Sequence, residues 1–267
     1  MNRIGVIGIG HMGGAMASAI ANCFEEDLFV YDTYEKAYEK FLEKKHVKCA
    51  KSIEELVEQV DYILLAIKPQ YYGDVCEKVK KVLKVQQVII TVSPAHRIDD
   101  MKVLLGQETK IIRTMPNTPA LINEGITAYC YEKGKISKEE KEQVLRWLNT
   151  FGEAVEVEER LMSAVVATTG SSPAYGYLFI EAMADAAVSM GIPRAMAYRL
   201  SASAIKGACE MVLQTEKHPG ELKDAVTSPG GTTIDAVMKL EEYGFRNSVI
   251  QAMHACYNKA ENMRKNK

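Results

Sequence analysis

The chain has 267 residues, 47% hydrophobic and 25% charged. That length suits one large domain or two modest ones, and the composition excludes a disordered or fibrous chain. Its 33 Lys and Arg nearly balance 35 Asp and Glu, so charge alone does not draw it to nucleic acid, and no apolar run approaches the ~18 residues of a membrane span.

The six cysteines are far apart and form no CxxC pair, which points to reduced packing thiols in a cytoplasmic protein rather than to disulfides or a metal site. Arg3–Ile7 reads as a short buried strand. Gly8–Gly13 is a glycine loop, and Ala15–Cys23 carries a helical pattern. The stretch from Ile4 to Phe24 has no charged residue and superficially looks like a signal peptide. Its ordered glycines (Gly5, Gly8, Gly10, Gly13, Gly14) argue for a turn and a helix instead. Leu28–Tyr31 is a second strand ending at Asp32, and a polar helix is expected over Tyr34–Lys45. Ser52 opens a further helix, with Glu55 three residues on as a capping-box partner. Strand Tyr62–Ala66, helix Tyr71–Leu83 and strand Gln87–Val92 follow. Two more strands are expected at Lys110–Arg113 and Ile126–Tyr131. Ser137–Phe151 is a helix opened by Ser137 and Glu140, and Ala154–Val157 is the last strand.

Strands alternating with helices imply βαβ units and a mostly parallel sheet. Beyond residue 158 no convincing strand remains. Helices are expected over Leu161–Met190, Arg194–Gln214, Pro219–Val226, Thr232–Tyr243 and Phe245–Lys267. The chain is therefore expected to pair an α/β domain, residues 1–158, with an all-helical domain, residues 159–267.

Gly8-Ile9-Gly10-His11-Met12-Gly13 is a GxGxxG between a strand and a helix. The first glycine permits a tight turn, the second lets a pyrophosphate approach the backbone, and the third lets helix and strand pack closely. Asp32 stands where a carboxylate would accept from ribose hydroxyls. A 2′-phosphate there would meet that carboxylate at a cost of roughly 1–4 kcal/mol, so NADH is favoured over NADPH.

Four further stretches carry chemistry: Ala66-Ile67-Lys68-Pro69-Gln70, Met115-Pro116-Asn117-Thr118-Pro119-Ala120, Thr169-Gly170-Ser171-Ser172-Pro173-Ala174-Tyr175, and Thr227-Ser228-Pro229-Gly230-Gly231-Thr232-Thr233. In this order behind a GxGxxG, the chain closely resembles the pyrroline-5-carboxylate reductase family over nearly its whole length. The resemblance implies hydride transfer from NAD(P)H to the C=N carbon of 1-pyrroline-5-carboxylate, giving L-proline. It also implies a Rossmann domain joined to a helical dimerisation domain of the 6-phosphogluconate dehydrogenase C-terminal kind, with larger rings of dimers in some members. By the same resemblance, Gly8 to Gly13 (with Ile9, His11 and Met12) would hold the pyrophosphate and Asp32 the ribose. Ser52 would lie on the adenosine side, and Ala66, Ile67, Lys68 and Pro69 would line the nicotinamide half. Asn117 would lie close to the same cleft. Ser228, Gly230, Gly231, Thr232 and Thr233 would bind the substrate, with Thr233 on the ring nitrogen. His11, Ser52 and Ser172 stand where many members carry Asn, Asn and Gly, and Asp32 where many carry Ser or Arg.

Apart from the family, Ser-Pro-Gly-Gly-Thr-Thr at a helix start offers free N–H groups, hydroxyls and a favourable dipole to a small carboxylate. No Lys occurs between residues 142 and 205, where related hydroxyacid dehydrogenases place a proton donor. An imine can enter already protonated, so that lack favours C=N over C=O reduction. Two alternatives remain: a reductase of a related cyclic imine or 3-hydroxy acid, and a non-enzymatic NAD-responsive binding protein.

Overall fold

The computed structural model of the chain describes residues 2–41 and 43–265. Strands β1 (Ile4–Ile7), β2 (Leu28–Tyr31), β3 (Val47–Cys49), β4 (Tyr62–Leu65), β5 (Val88–Thr91), β6 (Lys110–Met115), β7 (Gly125–Tyr131) and β8 (Gly152–Glu156) form one sheet in the order 3-2-1-4-5-6-7-8. All neighbouring pairs are parallel except β6 with β7. Strands β1, β4 and β5 are buried on both faces, which is why they read as unbroken apolar runs. Successive side chains take opposite faces: Val6 and Leu64 join one core with Ile112 and Trp147, while Ile7, Ile63 and Leu65 join the other with Tyr72 and Ile111. Strand order reverses between β2-β1 and β4-β5, and in such sheets ligands settle in the crevice at that switch, beyond the carboxyl ends of the strands.

The crossovers are α1 (His11–Cys23), α2 (Ile53–Gln59), α3 (Tyr72–Val82), α4 (Ile98–Leu105) and α5 (Lys138–Leu148). Ser52 caps α2 by accepting from the Glu55 N–H, and Glu55 returns to the N–H of Lys51, one residue before the cap. Ser137 and Glu140 form a reciprocal box at α5.

Among these elements one local expectation differs, and two elements, β3 and α4, were not expected. The helix expected over Tyr34–Lys45 is a 3-10 segment, Glu35–Phe41, and Leu42 within that range lies outside the described residues. The hydroxyl of Tyr38 accepts from the Asp32 N–H at 2.7 Å and donates to the Asp32 carbonyl at 2.8 Å, drawing the segment onto the end of β2. Strand β3, three residues long, carries too short a pattern to read. Helix α4 was hidden behind Ser93-Pro94, although its buried Ile98, Met101 and Leu105 fall at helical spacing.

The long helix expected from Leu161 is broken. It consists of α6 (Met162–Val165), a π turn (Val166–Gly170) and α7 (Ser172–Ser189). Helices α8 (Arg194–Thr215), α9 (Pro219–Ala225), α10 (Thr232–Glu242) and α11 (Phe245–Lys265) complete the chain. The expected end of α11, Asn266-Lys267, lies outside the described residues. By contacts the chain divides into two compact units. The first runs to Ser171 and takes back the chain from Cys256; the second is Ser172–Ala255. The first extends past the last strand because Met162, with Val165 and Val166, packs into the sheet's core.

In the second unit the helices bury little: Ala184, Ala197 and Ser201 are its fully covered side chains among the described residues. No described helix is long and apolar enough to cross a membrane. All six cysteines are free of disulfides. Burial pushes the Cys76 and Cys130 thiols up to about 12, as befits packing groups.

Candidate functional site

The cofactor loop is built from what its glycines leave empty. Gly8 sits at φ +90°, and a Cβ on it would lie 2.6 Å from the Ala66 carbonyl oxygen. Its N–H donates to the Tyr31 carbonyl at 2.8 Å, so the loop leaves β1 tied to β2. A Cβ on Gly13 would fall 2.0 Å from the Gly8 carbonyl oxygen, which is how closely α1 approaches the strand end. Around the Cβ position of Gly10 nothing lies within 4 Å. A strained turn, an open face and a tight helix contact are what a pyrophosphate cradle needs, so the residues present fit a dinucleotide.

A cavity of about 450 Å³ opens beside this loop, lined by Gly8, Gly10, Asp32, Ala66, Ile67 and Lys68 among others. It lies where the ends of β1, β2 and β4 meet. Pro69 opens a one-turn 3-10 helix beside the cavity, and Met12 packs partly against the core. Ser52 is spent on its cap, while its neighbour Ile53 lines the cavity. Tyr71, which ends that 3-10 turn, also lines it, with Asp74, Val75 and Lys78 from one face of α3, a helical spacing present in the sequence. A second groove of about 580 Å³ shares Gly10 and adds Ile9, His11, Gly14, Ser18, Tyr34 and Lys40.

Asp32 uses both carboxylate oxygens locally. Oδ2 accepts from the Ile9 N–H at 2.7 Å and Oδ1 from the Tyr34 N–H at 3.0 Å. A carboxylate has about four acceptor sites, which leaves capacity for a ribose hydroxyl. Lys40, whose Nζ donates to the Ile9 carbonyl at 3.1 Å, was not anticipated. Partial burial lowers its pKa, and the Asp32 charge opposes that shift.

Asn117, expected close to the cleft as a substrate contact, engages both ends of its amide within the protein and keeps one Nδ2 hydrogen. Oδ1 accepts from the Ile126 N–H at 2.9 Å, and Nδ2 donates to the Thr169 carbonyl at 3.1 Å. It therefore joins the start of β7 to the π turn.

In the second unit, Thr227–Thr233 forms a turn leading into α10. Thr227 Oγ1 bonds back to the carbonyls of Lys223 and Asp224. Gly230 adopts φ +66°, and a Cβ on Gly231 would lie 2.5 Å from Ser228 Oγ. Gly231 is the N-cap, with no side chain capping the helix, so the first-turn N–H groups face outward unmet by a cap. Ser228, Gly230, Thr232 and Thr233 are exposed. Thr233 lies two residues past the cap, so its hydroxyl is not the capping group.

Both parts of the chain match known families. The profile described as "Pyrroline-5-carboxylate reductase dimerisation" matches residues 159–263, and "NADP oxidoreductase coenzyme F420-dependent" matches residues 3–95. The pyrroline-5-carboxylate reductase of Escherichia coli strain K12 is 40% identical over 266 residues, 98% of each chain. The chain belongs to the pyrroline-5-carboxylate reductase family. Among solved structures, the Plasmodium falciparum pyrroline carboxylate reductase with NADP bound is 34% identical, covers 98% of each chain and superposes with a TM-score of 0.88. A pyrroline-5-carboxylate reductase from Coxiella burnetii is 28% identical over 97% of each chain, with a TM-score of 0.90. The likeness thus spans both the glycine loop and the Thr227–Thr233 turn.

Proposed function

We infer that the chain reduces 1-pyrroline-5-carboxylate to L-proline with NAD(P)H, the closing step of proline synthesis. The observation that carries this is the likeness along the full length to reductases of that name. The nicotinamide, when bound, supplies the hydride. The chain's residues bind and orient. Gly8 to Gly13 receive the pyrophosphate, Asp32 accepts from the ribose, and Ala66 to Pro69 with Ser52 border the dinucleotide. Ser228 and the N–H groups of Gly230, Gly231 and Thr232 hold the substrate carboxylate, and Thr233 accepts from the N–H of the protonated imine. No side chain need release a proton, since the substrate brings it. Oxidation of NADH that depends on pyrroline-5-carboxylate and yields proline tests this reading. NADH binding without turnover would leave the binding-protein alternative standing.

Residues 1–158 serve the cofactor and residues 159–267 serve dimerisation and the substrate turn, in a cytoplasmic enzyme whose cysteines stay reduced. NADH is used at least as well as NADPH, because the Asp32 carboxylate repels a 2′-phosphate. The check is kcat/KM for the two cofactors at equal ionic strength. A tenfold NADPH preference, about 1.4 kcal/mol, would overturn it. The Plasmodium falciparum relative was solved with NADP bound, so the comparison of the two cofactors decides the point for this chain.

The helical part pairs with a second copy. Leu178 is 67% exposed, Leu213 70% and Tyr243 80%, and few side chains of these helices are covered. Faces this apolar need a partner. Light scattering at micromolar concentration should give at least twice the chain mass of 29.7 kDa. A monomer would overturn the assignment.

A further inference from the structure

The fifth glycine of the N-terminal stretch, Gly14, lies outside the GxGxxG, and nothing in dinucleotide binding asks for it. It stands in the first turn of α1, where Ala would be the better helix former by about 1 kcal/mol. A Cβ on Gly14 would lie 1.8 Å from Lys40 Nζ and 2.8 Å from the Ile9 carbonyl oxygen. The glycine therefore clears the space through which the ammonium reaches that carbonyl, at 3.1 Å. The N–H of Ile9 donates to Asp32 Oδ2 at 2.7 Å. Ile9, between the first two glycines of the cradle, is thus held from both sides by opposite charges, its N–H donating to a carboxylate and its carbonyl accepting from an ammonium. Both clamping residues come from one short stretch, the end of β2 and the 3-10 segment Glu35–Phe41. Tyr38 bonds that segment back to the Asp32 backbone. Charge-assisted hydrogen bonds of this kind are roughly twice as strong as neutral ones.

We propose that Lys40 is a positioning residue for the dinucleotide: with Asp32 it clamps Ile9, so that the N–H groups of the glycine loop are aimed before the pyrophosphate arrives. The proposal rests on the reading of this loop as the cofactor site. A loop ordered in advance saves binding energy otherwise spent on ordering it. Lys40 then acts on cofactor affinity and leaves the hydride step alone.

The test is Lys40→Met, which keeps the apolar stem and removes the cation. NADH affinity is measured directly by fluorescence titration, and amide exchange at Ile9 and Gly10 is followed in the cofactor-free protein. NADH should bind about tenfold more weakly, as loss of one charged hydrogen bond implies. Exchange at Ile9 should speed up, and kcat at saturating NADH should stay within about twofold. Lys40→Arg, which keeps a cationic donor, should recover part of the affinity. Unchanged NADH affinity in Lys40→Met would overturn the proposal. So would weaker binding accompanied by a lower Tm with no change in Ile9 exchange, which marks a merely structural role. Should Lys40→Met fail to fold, Lys40→Gln carries the same comparison. Failure of the parent chain to bind any NADH would overturn the dinucleotide reading and the proposal with it.

Discussion

Gly13→Ala is expected to weaken NADH binding by roughly 10- to 100-fold and to lower Tm with it. The added methyl would sit 2.0 Å from the Gly8 carbonyl oxygen and 2.6 Å from the Ala66 Cβ. Neither can yield cheaply. Gly8 is tied through its N–H to the Tyr31 carbonyl at 2.8 Å, and Ala66 through its own to the Ile7 carbonyl at 2.9 Å. Helix α1 must then move off the end of β1, at an overpacking cost of about 1–3 kcal/mol. Its N-terminus moves with it, away from the position where it meets an anion. Gly10→Ala makes the control. Nothing lies within 4 Å of its Cβ position, so Tm should hold while the methyl occupies the face a pyrophosphate approaches. Calorimetry and NADH titration on both variants separate packing from binding. A Gly13→Ala protein that binds NADH like its parent would refute the cradle.

Thr233→Ala should lower kcat/KM for pyrroline-5-carboxylate by roughly 10- to 200-fold, about 1–3 kcal/mol for one hydrogen bond to the bound, charged substrate left unmade. The position of the residue sharpens the test. The N-cap of α10 is Gly231, so the Thr233 hydroxyl does no capping that its removal could undo. Ala is also the better helix former by up to about 0.7 kcal/mol. Tm should therefore hold or rise slightly while turnover falls, a divergence that a purely structural threonine would not produce. NADH affinity should stay at its parent value. Thr233→Ser, which keeps the hydroxyl, should restore most of the rate. Near-normal turnover in Thr233→Ala would remove the residue from the catalytic list.

Much of this was legible along the chain because the signals were local. The strands flanking the cofactor crevice are buried on both faces, so they stood out as apolar runs. Ser52 and Ser137 opened helices through partners three residues away, well within a sequence window. The glycine loop and the Thr227–Thr233 turn were recognisable because a cradle and an uncapped helix start demand particular residues in particular order. The expectations that failed were short or tertiary. Strand β3 is three residues long and exists by pairing with β2. The segment after Asp32 became 3-10 rather than α because the Tyr38 hydroxyl draws it to a strand end. No local pattern announced the π turn that breaks the helix expected from Leu161.

Local order along the chain by itself determined the class of fold, the change from alternating strands to helices near residue 158, and the glycine loop and the turn before α10. Periodicity, caps and glycine spacing act over a few residues and survive in the sequence. Tertiary structure decided what each side chain does on arrival. Asn117 spends its amide on Ile126 and on Thr169, 52 residues away. Lys40 reaches back 31 residues to the Ile9 carbonyl. Arg113 pairs with Glu159, 46 residues on. A polar group's partner is whichever donor or acceptor the packed core brings within about 3 Å, and that neighbour is set by the sheet order and helix packing rather than by position along the chain.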